Sequence, residues 1–64
     1  MKRRDLLTHL TSLGCTLLRE GARYSWGHNA LLNKRSAVPR HADINNHLAR
    51  KICRDLGVME PERY

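Results

Sequence analysis

No other part of the chain is patterned as plainly as Asp43-Ile44-Asn45-Asn46-His47-Leu48-Ala49-Arg50-Lys51-Ile52-Cys53-Arg54-Asp55-Leu56-Gly57. Ile44, Leu48, Ile52 and Leu56 recur at every fourth position with Cys53 beside them, which lays one apolar stripe along a helix. Asp43 stands at or near the expected helix start, where a carboxylate suits the positive end of the helix dipole. Gly57 follows the last apolar residue and supplies a stop. A helix from about Asp43 to Leu56 with a single apolar face needs a second layer to cover that face.

The rest of the chain supplies that layer. Immediately upstream, Arg35-Ser36-Ala37-Val38 reads as a short strand, and Pro39 bars further central pairing. Asn29 to Lys34 reads as a loop. Tyr24-Ser25-Trp26-Gly27-His28 alternates, so Tyr24, Trp26 and His28 share one face of a strand and Ser25 and Gly27 the other. Gly21-Ala22 fits a tight turn. Cys15 to Glu20 is too short for a helix and reads as a strand, although Leu17 and Leu18 together blur its alternation. From Arg4 to Leu13, the leucines at 6, 7, 10 and 13 lie on one helical face, and Gly14 ends that helix. Residues 1–3 form a basic lead-in and residues 58–64 a short polar tail.

The order is therefore α-β-β-β-α, an α+β fold with two helices on one face of a three-stranded antiparallel sheet. The expected core is Leu6, Leu10, Leu13, Leu17, Val38, Ile44, Leu48, Ile52 and Leu56. The other face of the sheet is left for solvent or a partner. At 64 residues and 7.4 kDa, the chain holds one domain, spanning residues 1–64. Two cysteines are too few for a disulfide scaffold. Apolar runs are short, as at Leu6-Leu7 and Leu17-Leu18, which excludes a transmembrane helix, and no stretch reads as a secretion signal. A cytoplasmic protein with free thiols is the expectation.

Twelve Lys and Arg against six Asp and Glu leave a net charge of +6, with a pI near 10.2. Such a balance points to an anionic partner, with solubility alone as the plainer use of the charge. Tyr24, Trp26 and Tyr64 are the only aromatics. So few argue against a sheet that stacks several bases. No His or Cys pair has zinc-ligand spacing, and there is no phosphate-binding glycine loop or nucleophile elbow, so no metal or cofactor is expected.

The informative polar segment is Arg35-Ser36-Ala37-Val38-Pro39-Arg40-His41. Arg40 and His41 stand just before the second helix, where free backbone N–H groups attract phosphate and a guanidinium adds a two-pronged donor. A solvated turn that caps the helix is the alternative. Arg19, Arg23, Lys34 and Arg35 place a basic stripe across the strands. Arg50, Lys51 and Arg54 suit either an ordinary solvated helix face or an RNA contact.

These segments, taken together, resemble a known family. Met1-Lys2-Arg3-Arg4-Asp5-Leu6-Leu7, Gly14-Cys15, Leu18-Arg19-Glu20-Gly21, Ser36-Ala37-Val38-Pro39-Arg40-His41 and Leu48-Ala49-Arg50-Lys51-Ile52-Cys53 are similar, in joint order and spacing, to the HicA toxins. The resemblance runs from Met1 to about Val58. It implies an mRNA interferase with a fold like the double-stranded-RNA-binding domain, acting on mRNA without metal or cofactor and paired with a HicB antitoxin. RNA contacts are expected at Arg23, Ser25, Lys34, Arg35, Arg40 and His41.

The family places its catalytic histidine in a frame that reads Glu20-Gly21-Ala22-Arg23-Tyr24-Ser25 here, so the catalytic position holds Tyr24. Metal-free RNA cleavage needs a base for the 2′-hydroxyl and an acid for the leaving 5′-oxygen. Histidine serves either role near pH 7, whereas a phenol of ordinary pKa about 10 is a poor base. Impaired cleavage is the expectation, and an inactive protein that still binds RNA and HicB is the alternative. His28 and His41 are the possible substitutes, although His28 lies about 13 Å along the strand from Tyr24.

Overall fold

The leucine and isoleucine stripes at the two ends of the chain meet over a sheet formed by its middle. In the computed structural model, which describes residues 1–61, the order is α1 (Arg3–Ser12), β1 (Cys15–Glu20), β2 (Tyr24–Asn29), β3 (Lys34–Pro39) and α2 (Asn46–Leu56). The sheet is antiparallel with β2 in the centre. This is the expected α-β-β-β-α layout, with both helices packed on one face.

The pleat sorts the side chains of β2 as its alternation requires. Ser25, Gly27 and Asn29 face the helices and are buried, while Tyr24 and Trp26 are exposed on the opposite face. Gly27 allows a close approach: a Cβ there would lie 3.5 Å from Leu56 Cδ1 of α2 and 3.6 Å from the Ser36 carbonyl oxygen. Val38 of β3 is fully buried opposite Ser25. The core is Leu6 and Leu10 from α1, Cys15, Val38 and Ile44, and Ala49, Ile52, Cys53 and Leu56 from α2.

Three expected core leucines lie outside that set. Leu13 follows the last turn of α1 and is 37% exposed. Leu17 faces the helix side but sits on the edge strand beyond their cover, at 39% exposure. Leu48 is only half-buried, because the buried line of α2 runs through Ala49, Ile52, Cys53 and Leu56 and leaves Leu48 at its margin. Cys15 and Cys53 are free, and burial pushes both thiols up from their ordinary range; Glu60 and Cys15 raise Cys53 further.

The described segments that flank the helices are tied down. The expected basic lead-in is structural: the Met1 carbonyl accepts from Ile44 N at 2.7 Å, its ammonium donates to the Ile44 carbonyl, and Arg3 N donates to the Ala42 carbonyl. The start of the expected tail folds back on α1, where His9 Nε2 donates to the Met59 carbonyl at 2.8 Å and Pro61 is buried. The rest of that tail, residues 62–64, lies outside the described residues. Asn29 Nδ2 donates to the Leu56 carbonyl at 2.8 Å, which satisfies a buried acceptor at the end of α2. Among the described residues, no buried side-chain polar atom lacks a partner.

Candidate nucleic-acid interface

Chain reversal after β1 and the exit of β3 bring two distant segments together. Tyr24 and Pro39 are paired across β2 and β3, so the residues just before Tyr24 and just after Pro39 are neighbours. Arg40 joins them twice: its backbone N–H donates to the Arg23 carbonyl at 3.2 Å, and its Nη1 donates to the Gly21 carbonyl at 2.9 Å. Gly21 N donates to the Tyr24 carbonyl at 2.7 Å and closes the turn. The result is an open cleft of about 570 Å³ lined by Ala22, Arg23, Tyr24, Pro39, Arg40, His41 and Leu48. Among the described residues, its lining holds two guanidinium groups, an imidazole and a phenol, and no carboxylate.

Arg40 also borders a second recess of about 740 Å³, with Lys2, Arg3, Arg4, Leu7, Thr8, Ala42 and Asp43. Basic side chains therefore continue from the turn, past Arg40, to the start of α1. This is a concave surface suited to a phosphate backbone rather than to a buried small molecule.

Four of the expected site residues, Arg23, Tyr24, Arg40 and His41, meet in the first cleft. Ser25 does not. Adjacent residues on a strand point to opposite faces, so Ser25 is wholly buried and its Oγ accepts from Arg3 Nη2 at 2.8 Å. It is corrected from an RNA contact to part of the scaffold. Lys34 and Arg35 lie at the other end of β3. Lys34 runs beside Gly57, the left-handed residue (φ 71°) that closes α2, where an ammonium complements the helix dipole. His28 is paired with Arg35 at that same far end, with Nε2 3.5 Å from Asn33 Oδ1, and is not part of the cleft.

The expected phosphate site at the start of the second helix is also corrected. The helix begins at Asn46, with Asn45 as its cap: Asn45 Oδ1 accepts from His47 N at 2.8 Å. Asp43 lies upstream, in a bridge with Lys2. The Met1 ammonium, 3.2 Å from Asn46 Oδ1, occupies the neighbourhood of that helix start. Arg40 works at the β1–β2 turn instead.

Sequence reasoning missed Arg3 and Leu48 as parts of this region. Arg3 Nε donates to the Pro39 carbonyl at 3.0 Å while its Nη2 holds Ser25, so one side chain ties α1 to the strand ends that carry the cleft. Nothing local marks Arg3 among its basic neighbours. Leu48 was expected in the core, but its half-exposed side chain forms the apolar wall of the cleft.

Comparison with protein-family models, curated proteins and solved structures finds no match. No helix among the described residues is long and apolar enough to cross a membrane. No three His, Cys, Asp or Glu side chains among them gather as a metal site.

Proposed function

We propose that this chain is a HicA-type RNA-binding protein that holds the RNA backbone in the Arg23–Tyr24–Arg40–His41 cleft and cleaves mRNA slowly, if at all. The observation that carries this reading is the convergence of residues 22–24 and 39–41 on one basic cleft that no carboxylate lines among the described residues. These are the two segments in which the resemblance to HicA locates the catalytic position and the Pro39-Arg40-His41 motif. The α-β-β-β-α order is also the one that the resemblance implies.

In this reading, Arg23 and Arg40 neutralise the phosphate, and the remaining donors of Arg40 are aimed by the bond that anchors it to Gly21. Strand cleavage without metal proceeds by attack of the 2′-hydroxyl on the adjacent phosphorus. The 2′-proton goes to a base and the departing 5′-oxygen takes a proton from an acid. A phenol at position 24 serves as hydrogen-bond donor or acid, but it leaves the base role poorly filled. His41 is the nearest alternative, since it lines the same cleft. A HicB-like antitoxin with an acidic docking surface would complement this cleft and shield it.

The test compares RNA turnover by the parent chain, Tyr24→His and His41→Ala at saturating RNA. Tyr24→His is expected to raise turnover by about 10²–10⁴-fold, the usual weight of general acid–base catalysis. Equal turnover by the parent and Tyr24→His, with loss of cleavage in His41→Ala, would move the chemistry to His41.

A further inference from the structure

The face of the sheet away from the helices is open, and its centre is Trp26, 46% exposed. The neighbourhood of Trp26 is built by an irregularity in β1. Leu17 pairs with Gly27 and Arg19 with Trp26, so Leu18 is an extra residue in the ladder. A bulge of this kind sets two side chains opposite one. Here it sets Leu18 and Arg19 against the indole. Arg35 comes from β3 on the other side, and the four residues line a depression of about 430 Å³. That volume is within the range of small-ligand sites. Among the described residues, two guanidinium groups border it and no carboxylate does.

Tyr24, 52% exposed, lies on the same face two positions away along β2, about 7 Å by strand geometry. We infer that the open face carries a base-stacking subsite for single-stranded RNA, with Trp26 as the platform and Arg19 and Arg35 as its flanking cations. The inference rests on the RNA-binding reading of the Tyr24 cleft and extends it: one strand runs from that cleft onto the sheet. Charge decides the occupant, because a polyanion meets Arg19 and Arg35 here, the two charged side chains that line the depression among the described residues. Base presentation decides its form. In a duplex the base faces are covered by their neighbours, whereas an unpaired base offers its face to an indole or a guanidinium plane. A single Trp framed by two Arg side chains offers a platform for one base, which the chain's few aromatics allow.

Trp26 is the chain's one tryptophan, so its fluorescence reads this subsite directly. The experiment titrates the full chain, at low salt, with a mixed-sequence single-stranded RNA and with a duplex of that sequence. Affinities are measured in parallel for Trp26→Ala, Arg19→Gln/Arg35→Gln and Arg40→Ala, each checked for fold by circular dichroism. The single strand is expected to quench the indole and the duplex to leave it unchanged. Trp26→Ala is expected to lose about 5- to 150-fold in single-strand affinity, the range measured for removal of a stacking aromatic. The Arg19/Arg35 variant is expected to lose affinity as well.

If the parent binds RNA, and Arg40→Ala weakens it, while the indole is silent and Trp26→Ala binds as the parent does, the subsite is refuted and the cleft reading stands. If the parent binds neither RNA, both fall. Equal quenching by duplex and single strand refutes the stacking subsite, and an indole that responds to a HicB-like protein but not to RNA assigns the face to protein contact and overturns the inference.

Discussion

Replacing Arg3 by Met tests whether its side chain, bonded to the Pro39 carbonyl and Ser25 Oγ, holds the end of the sheet to α1. Methionine keeps an apolar stem of similar length and removes the donors. Two bonds disappear, from Nε to the Pro39 carbonyl at 3.0 Å and from Nη2 to Ser25 Oγ at 2.8 Å. A bond from a charged donor contributes roughly 1.5–3 kcal/mol, and the partly exposed setting argues for the low end. Ser25 is wholly buried, so its hydroxyl loses a partner that water cannot easily replace. A loss of about 2–3 kcal/mol is expected, from a total of very roughly 3–10 kcal/mol for a chain this short. In a thermal scan followed by far-ultraviolet circular dichroism, that corresponds to a fall in Tm of about 8–24 °C. Adding Ser25→Ala removes the orphaned hydroxyl, so the double variant should be about 1 kcal/mol more stable than the sum of the single losses predicts. A fall in stability under 0.5 kcal/mol for Arg3→Met, or strict additivity with Ser25→Ala, would refute the reasoning.

Ile52→Ala, which empties a wholly buried site on α2, should cost about 2–5 kcal/mol in urea unfolding, whereas half-buried Leu48→Ala should cost roughly 1 kcal/mol. Asn45→Ala should cost about 1 kcal/mol through loss of the α2 cap, and Asp43→Asn should leave stability nearly unchanged. Cys15 and Cys53 should alkylate slowly in the folded chain at pH 8, because burial raises both thiols and depletes the thiolate. The same shifts make stability fall as pH rises past 9.0: the unfolded thiols ionise first, and proton loss favours the unfolded chain until the folded thiols titrate too. Cys53→Ala should flatten that alkaline fall in a pH series of unfolding curves.

The layers were legible in the sequence because period and punctuation agree. The helical stripes, the Tyr24–Trp26–His28 alternation, and Gly14 and Gly57 after the helices each follow from local geometry. Which residues the layers cover was less so. The four-residue spacing in α2 selected Leu48, but a helix advances 3.6 residues per turn, and packing against Gly27 and Val38 centred the contact on Ala49, Ile52, Cys53 and Leu56. The helix start was misplaced because Asp43 and Asn45 are both plausible caps, and only the seating of Met1 against Ile44 distinguishes them. Arg23, Arg40 and His41 were legible as polar residues beside chain reversals, whereas Tyr24 entered the site only through the resemblance to the HicA toxins. Arg3 and the Trp26 depression depend on contacts between distant segments and leave no local pattern. The doubled leucine at 17 and 18 was the trace of the bulge.

The central claim is that the Arg23–Arg40 cleft holds RNA phosphates, and its most direct test is the salt dependence of RNA affinity. For single strands, each phosphate contact contributes about 0.7 to the slope of log Kobs against log salt. The parent chain should bind more weakly as salt rises, and Arg23→Gln/Arg40→Gln should be shallower by about 1.4, with affinity reduced alike across RNA sequences. A double variant with the parent's slope and affinity, or a parent that binds RNA independently of salt, would contradict the claim.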